Sequence, residues 1–183
     1  MIAIHNFKKL IGKKVSRFLI VVWPPFGEAK MLDVDISIGL IVDEHEGVFH
    51  IQIDKDDCWT PIVSETCFDE IFEWCKFQQR IDDWMKCQID GPLQNEVFDA
   101  THESIFGNIV SEEILDIECI TLKSKFNPFA IKICFRDDSI LVSPISDGTT
   151  IETSLFNKTN SLGVFRSLGD IEFIPLKDAE KRI

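Results

Sequence analysis

The clearest pattern along the chain is a regular alternation of apolar and polar residues between Asp33 and Asp43. The apolar positions are Val34, Ile36, Ile38, Leu40 and Val42. Residues two apart lie on the same face of a strand, so this period predicts a strand with one buried face and one solvated, acidic face. After a turn at residues 44–47, the return strand alternates in the same way. Its predicted buried residues are Phe49, Ile51 and Ile53, and its predicted exposed residues are His50, Gln52 and Asp54.

Other patterns predict the rest of the first half. Residues Val15–Trp23 predict a strand buried on both faces, because its later part is apolar without a break. Apolar residues at steps of three and four predict the main helix over Thr66–Met85. The acidic residues expected on its outer face are Asp69, Glu70, Glu73, Asp82 and Asp83. A short helical turn, capped by Asn6 and closed by Gly12, is predicted near the start.

The second half contains short apolar runs separated by turn residues, which is typical of strands joined by hairpins. The predicted strands are Ile114–Leu122, Ile131–Phe135, Ile140–Val142, Thr150–Phe156 and Asp170–Pro175. Leu115 and Phe173 are among the side chains expected to point inwards. The predicted loops are Lys55–Pro61, Leu93–Thr101 and Asn157–Gly163. The charged tail from Lys177 is expected to fray.

Two glycine-containing stretches, Leu10–Ser16 and Ile105–Ser111, follow the same pattern. Each has two apolar residues, Gly, two variable residues, Val and Ser. We interpret the match as a sign of internal duplication, in which Gly12 and Gly107 free the backbone where the chain enters a strand.

The predicted fold class is therefore α+β and β-rich, with antiparallel hairpins in two halves of related layout and one main helix between them. We expect residues 1–183 to form a single domain, with the related halves at 1–90 and 100–175. The alternative is two small domains divided near Gly91.

The charge of the chain narrows the classes of partner. The net charge is −12, and residues 1–30 carry +5, which leaves −17 for the remainder. An acidic body repels phosphate backbones, so we expect no direct nucleic-acid binding and instead a basic protein partner. No apolar run approaches the length of a membrane span. Six cysteines without a C-x-x-C pair, and no secretory signal pattern, predict reduced thiols in the cytoplasm.

The candidate metal-binding and nucleophile motifs lack the residues that their chemistry requires, and we expect no cofactor. A calcium loop starting at Asp54 would place Trp59 where glycine is required and Cys58 where an oxygen ligand is required. A site built from His50, Asp54 and Cys58 would have too few converging ligands. The acidic neighbours of Cys58 would also raise the pKa of its thiol rather than lower it.

Acidic residues interleaved with tryptophan are the remaining candidate site. Tryptophan supplies buried area in an interface, while charges guide the encounter and fix its register. The predicted partner-binding residues are Asp54, Asp56, Asp57, Trp59, Asp69, Glu70, Glu73 and Trp74. The structural alternative is a core tryptophan beside an ordinary solvated helix face.

In its overall character the chain resembles the immunity proteins of bacterial contact-dependent-inhibition and polymorphic toxin systems: small, acidic, free of catalytic motifs and built of plain hairpins. No single motif carries this resemblance. It implies a protein that neutralises a cognate basic toxin, such as a nuclease, by masking the active site of the toxin with carboxylates.

Two alternatives come from other classes. One is a hydrolase whose acidic residues meet His50 only in the folded chain. The other is a self-associating structural or regulatory module. A deep pocket holding His50 with carboxylates would favour the first alternative, and the mass in solution would test the second.

Overall fold

The computed structural model describes residues 2–23, 34–54, 59–86, 94–123, 125, 127–145, 148–179 and 181. The strands of the first sheet are β1 (Val15–Trp23), β2 (Asp35–Val42), β3 (Val48–Asp54), β4 (Thr60–Thr66), β5 (Phe72–Glu73) and β6 (Glu96–Asp99). Those of the second sheet are β7 (Asp116–Leu122), β8 (Ala130–Cys134), β9 (Ser139–Ile145), β10 (Gly148–Glu152) and β11 (Ile171–Pro175). The α-helices are α1 (Ile2–Asn6), α2 (Phe77–Met85), α3 (Leu162–Arg166) and α4 (Leu176–Ala179).

The strands pair mainly with their sequence neighbours, as expected for hairpins. The first sheet has the order β4-β3-β2-β1-β6-β5, and the second has the order β10-β9-β8-β7-β11. The described pairs are antiparallel except for β5 and β6, which run parallel. The α+β fold class, with two mainly antiparallel sheets and one main helix, is thereby confirmed. Along the chain, α2 lies between β5 and β6 of the first sheet.

One hydrophobic core joins the two sheets. Ile20, Ile38 and Ile51 of the first sheet belong to the same buried cluster as Ile133 and Val142 of the second. Two hydrogen bonds also link the sheets at the β10 edge. The Asp35 carboxylate accepts from the backbone N–H of Thr149 at 2.8 Å, and the Thr149 hydroxyl accepts from the backbone N–H of Ile53 at 2.9 Å. These bonds satisfy backbone donors at a sheet edge.

The outer face of each sheet has its own apolar cover. On the first sheet, Leu19, Val21, Val48 and Val97 form a separate cluster against which Phe68 and Ile71 pack. On the second sheet, a cluster that includes Phe129 lies under Leu162 and Phe165 of α3. Both sheets are therefore apolar on two faces, which explains why their strands are buried so completely.

The solvated face predicted for the strand at residues 33–43 is wrong in the middle of β2, and Asp33 lies outside the described residues. Residues 36–40 of β2 are all buried, including Ser37 and Gly39. The neighbouring prediction of an exposed His50 is also wrong, because only 7% of this side chain is exposed. The cause is that Phe68 and Ile71, which lie far away in sequence, cover the outer face of the first sheet. The face that the alternating pattern predicts to be solvated is therefore buried as well.

The predicted helix over Thr66–Met85 is wrong in its first half. Only α2 (Phe77–Met85) is α-helical, preceded by a short 3-10 turn at Trp74–Lys76. Residues 67–71 instead cross the first sheet, and β5 pairs with β6. Burial of the apolar side chains on the sheet outweighs local helix propensity, which is a weak preference.

Three elements were missed in predicted loops. They are β4 in part, β6 and α3. The strand β4 tolerates Pro61 because it lies at the edge of the sheet and pairs only with β3 among the described strands.

Two side chains predicted to point inwards are exposed: Leu115 by 52% and Phe173 by 41%. The tail residues from Leu176 begin as the helix α4 rather than fraying at Lys177.

The two similar glycine-containing stretches contact each other. The backbone N–H of Gly12 donates to the carbonyl of Ile114 at 2.8 Å, and that of Ser111 donates to the carbonyl of Val15 at 2.7 Å. Lys14 of the first stretch also forms an antiparallel bridge with Glu113, two residues beyond the second stretch. Their backbones differ, because Gly12 has a φ of +79° whereas Gly107 has a φ of −61°. The positive φ of Gly12 agrees with its predicted role in closing the first turn, but Asn6 makes no capping hydrogen bond through its side chain.

Candidate partner-binding site

The acidic residues predicted to line a helix lie instead on the crossover, which we define as residues Cys67–Ile71. The crossover leaves β4 at one edge of the first sheet and leads to β5 at the opposite edge. Phe68 and Ile71 anchor it to the apolar outer face. The Phe68 ring meets the His50 ring edge-on, with the centroids 5.7 Å apart. Between these two anchors, Asp69 and Glu70 are exposed.

A cluster of aromatic side chains fixes the chain after the crossover. Trp74 stacks on Phe77, with ring centroids 4.5 Å apart and an angle of 10° between the planes. The edge of Trp74 also meets Phe106 and Phe156. Trp74 is only partly exposed and packs against the central core. Trp74, which the sequence predicts as a binding anchor, therefore also contributes to the packing of α2.

Arg80 of α2 lies at the centre of several carboxylates. Its guanidinium forms two hydrogen bonds with the buried carboxylate of Glu96 on β6, one of them at 2.8 Å from Nε to Oε2. The bond to Glu96 raises the pKa of Arg80, and the charges of Asp83 and Glu70 raise it further. The same guanidinium lies 5.6 Å from the centre of the Phe72 ring. Glu70 and Asp83 thus belong to one charged neighbourhood, although they lie on different elements.

We define the acidic surface as the carboxylates of the crossover, β5 and α2 in this neighbourhood. Its members are Asp69, Glu70, Glu73, Asp82 and Asp83. Glu96 pairs with Arg80, and the ammonium group of Lys76 lies 5.8 Å from the centre of the Phe72 ring. The five carboxylates of the acidic surface outnumber these two cations. Asp82 accepts a hydrogen bond from Gln78 at 2.9 Å, which fixes its side chain along the helix.

The remaining predicted partner-binding residues lie elsewhere. Trp59 and Asp54 are exposed at the opposite end of β4, where Asp54 pairs with Thr60. The seven residues of β4, which span about 23 Å, lie between Trp59 and Cys67, where the crossover begins. Asp56 and Asp57 lie outside the described residues. The structure therefore brings Asp69, Glu70 and Glu73 together and separates Asp54 and Trp59 from them.

His50, the centre of the hydrolase hypothesis, is part of the packing beneath the crossover. Its Nε2 atom lies 2.8 Å from the hydroxyl of Ser37, and both side chains are buried. Burial lowers the pKa of His50, although the nearby charge of Asp35 acts in the opposite direction. Cys58 lies outside the described residues. Within the part of the chain that the structure describes, no three His, Cys, Asp or Glu residues are placed to hold a metal ion.

An apolar surface around Trp59 was missed from the sequence. We define the Trp59 surface as the exposed residues Trp59, Val164 and Leu168 together with Phe165, on which the edge of the Trp59 ring rests at a centroid distance of 5.7 Å. Two grooves of about 490 and 410 Å³ flank the shared wall of Trp59, Phe165 and Leu168. The sequence feature that could have indicated this surface is the spacing of the apolar residues 162, 164, 165 and 168. These residues begin at the end of the predicted loop Asn157–Gly163 and continue just after it.

Comparison of the chain with models of protein families, with curated proteins and with solved structures gave no significant match. The fold defines the class no further than a two-sheet α+β protein. Of the helices that the structure describes, none has both the length and the apolar character needed to cross a membrane.

Proposed function

We propose that this protein binds a basic protein through the acidic surface and thereby inhibits it, as the immunity proteins that it resembles in character inhibit their toxins. The observation that carries the proposal is the exposure of Asp69 and Glu70 on a crossover whose neighbouring side chains are fixed in the sheet. Adjacent carboxylates held in this way can occupy positions that phosphates take in the basic groove of a nuclease.

Rigid presentation supports an inhibitory role. Ordering side chains or loops at an interface costs free energy, and a pre-ordered surface avoids part of that cost. Phe68 and Ile71 hold the crossover on the sheet, and the aromatic cluster of Trp74 and Phe77 holds the start of α2. The acidic surface therefore offers its carboxylates on a fixed backbone.

The net charge of −12 supports a basic partner for a separate reason. A long-range field of one sign accelerates the encounter with a partner of the opposite sign, and salt screens that field. Such electrostatic attraction affects the association rate more than the lifetime of the complex. We therefore expect association with the partner to slow as the ionic strength rises.

The test is affinity capture from the source cells with the wild-type chain and two triple variants. The first variant, Asp69→Asn with Glu70→Gln and Glu73→Gln, neutralises part of the acidic surface. The matched control makes the same change in net charge at the exposed residues Glu46, Asp137 and Asp170. We expect wild type and control to retain one basic protein that the first variant loses.

Inhibition is then measured on the captured protein itself. We expect its expression to arrest growth, and co-expression of the wild-type chain or the control variant to restore growth. Capture of no basic protein, equal capture by both triple variants, or a captured protein that remains active in the complex would each contradict the proposal.

A further inference from the structure

The Trp59 surface exposes more apolar area than folding requires of those residues. The exposed fractions are 44% for Trp59, 70% for Val164 and 64% for Leu168. Isolated exposed apolar residues are ordinary, but a contiguous group beside two grooves is typical of an interaction site. Trp59 also has a φ of +46°, a backbone conformation that is unusual for a bulky residue.

The wall between the two grooves is fixed by aromatic packing. Phe165 stacks on Phe129 with ring centroids 4.4 Å apart, and it meets the Trp59 ring edge-on. Phe129 and Phe165 are buried, so the wall rests on the outer face of the second sheet. The grooves are therefore present before any ligand binds.

A single carboxylate fixes the loop that leads into α3. Glu152 accepts hydrogen bonds from the backbone N–H groups of Asn160 at 3.0 Å and Ser161 at 2.6 Å, and from the Thr159 hydroxyl at 3.2 Å. The Ser161 hydroxyl also lies 2.6 Å from that of Ser143 on β9. Because Thr159, Asn160 and Ser161 line the larger groove, Glu152 positions that groove as well as α3.

The charges of the grooves differ from those of the whole chain. Lys125 is the single charged residue among the described residues that line either groove. Other charged residues lie close to the lining residues. Arg166 is exposed and follows Phe165 in sequence, Asp170 lies two residues after Leu168, and Asp54 pairs with Thr60, the residue after Trp59. Among the described lining residues, the one charged group that a ligand in these grooves can contact is therefore a cation. This chemistry is opposite to that of the acidic surface.

We propose that the Trp59 surface is a second docking site, which binds an apolar peptide segment of a partner protein and pairs a carboxylate of that segment with Lys125. The two grooves receive apolar side chains on either side of the shared wall, and Lys125 fixes the orientation of the segment in the smaller groove. This second site does not depend on the identity of the basic protein that the acidic surface is proposed to bind. The peptide segment proposed for the Trp59 surface is acidic rather than basic.

The first arm of the test is a selection of displayed random peptides on the immobilised full chain. We expect enriched sequences to combine aromatic or leucine residues with Asp or Glu. Selection of no peptide, or of peptides with basic flanks, would overturn the proposal.

The second arm measures the affinity of a selected peptide by calorimetry. We expect Leu168→Asp to weaken binding by about tenfold or more, since truncating or charging a central apolar contact removes much of an interface's affinity. The control Leu115→Asp changes an exposed leucine just before the start of β7, at the opposite end of this strand from Leu122 of the smaller groove, and should leave affinity unchanged. Equal effects of the two substitutions would overturn the proposal.

A charge exchange tests the role of Lys125 directly. Lys125→Glu should weaken binding of the acidic peptide, and a peptide with Lys in place of the paired acid should regain affinity for this variant. Failure of the exchange would overturn the pairing with Lys125. Dimers that Leu168→Asp disperses in sedimentation, or retention of the wild-type chain on neutral lipid vesicles, would instead assign the surface to a second copy or to a membrane and overturn the proposal.

Discussion

At the scale of single residues, His50 shows how burial changes the role of a side chain. The sequence pattern places it on a solvated strand face, but the crossover covers it and Ser37 becomes its hydrogen-bond partner. Desolvation favours the neutral imidazole and lowers its pKa below the usual 6.5, although the charge of Asp35 opposes part of the shift. His50 therefore links the acidic crossover to the sheet beneath it.

This shift predicts a pH dependence of stability. Below about pH 6.5 the unfolded chain binds a proton at His50 more readily than the folded chain does. The contribution of neutral His50 to the free energy of unfolding should therefore be fully present above pH 6.5. It should be lost progressively as the pH falls from 6.5 towards the lower pKa of His50 in the folded chain. The slope contributed by one proton is at most about 1.4 kcal/mol per pH unit.

The measurement is urea unfolding of wild type and His50→Gln between pH 5 and pH 8. Glutamine keeps a polar group near Ser37 but does not titrate, so we expect the variant to lose part of the slope below pH 6.5. The other histidines contribute to both proteins. Identical slopes in the two proteins would contradict the prediction.

At the scale of elements, the two glycine-containing stretches have different roles in spite of their similar sequences. Gly12 occupies the left-handed region at the end of a turn, and its N–H bonds to Ile114. Gly107 has a right-handed backbone, and the second stretch continues into a turn rather than directly into a strand. The first stretch pairs with residues 111–114, at the end of the second stretch and just beyond it, and so ties the entry of β1 to the segment before β7.

The difference predicts unequal costs of substitution. Gly12→Ala should lower the free energy of unfolding by about 1 kcal/mol, because alanine is strained at a φ of +79°. At Gly107 the added carbon would lie 3.3 Å from the carbonyl of Ser104, a contact that a small shift can relieve, so Gly107→Ala should cost less. Urea unfolding of both variants measures this. A Gly107 substitution that costs as much as the one at Gly12 would refute the distinction.

The strands that the sequence predicted best are those with strong period-two patterns or continuous apolar runs. Val15–Trp23 is confirmed to the residue, and the strands near 116–122 and 171–175 lie close to their predicted bounds. The first half of the helix at residues 66–85 could not be separated from a crossover, because Phe68 and Ile71 have a spacing that suits either structure. Their true environment depends on strands 20 to 50 residues away in sequence.

The arrangement of the candidate site follows from the sequence only in part, for the same reason. The sequence places acidic residues at positions 69, 70 and 73, and the side chains of Asp69, Glu70 and Glu73 are exposed. The separation of Trp59 from them is set by the length and direction of β4, which was partly assigned to a loop. The packing of Trp74 against the core depends on Phe106 and Phe156, residues from the other half of the chain.

At the scale of the whole molecule, the protein separates two kinds of surface. The crossover and α2 carry the acidic surface on the first sheet, and α3 with Trp59 forms an apolar surface on the second sheet. The central core connects the two sheets, so both surfaces belong to one packed structure. A protein that carries a charged surface and an apolar surface in separate regions can contact partners of different chemistry through each of them.

The central claim is that the acidic surface holds a basic protein, and the affinity of the captured partner tests it most directly. We predict that the triple neutralisation of Asp69, Glu70 and Glu73 weakens binding at least tenfold at low salt. The control at Glu46, Asp137 and Asp170 should weaken it by less than about threefold, because it changes only the long-range field. Equal losses in the two variants would show that net charge alone attracts the partner, and no loss in either would contradict the account altogether.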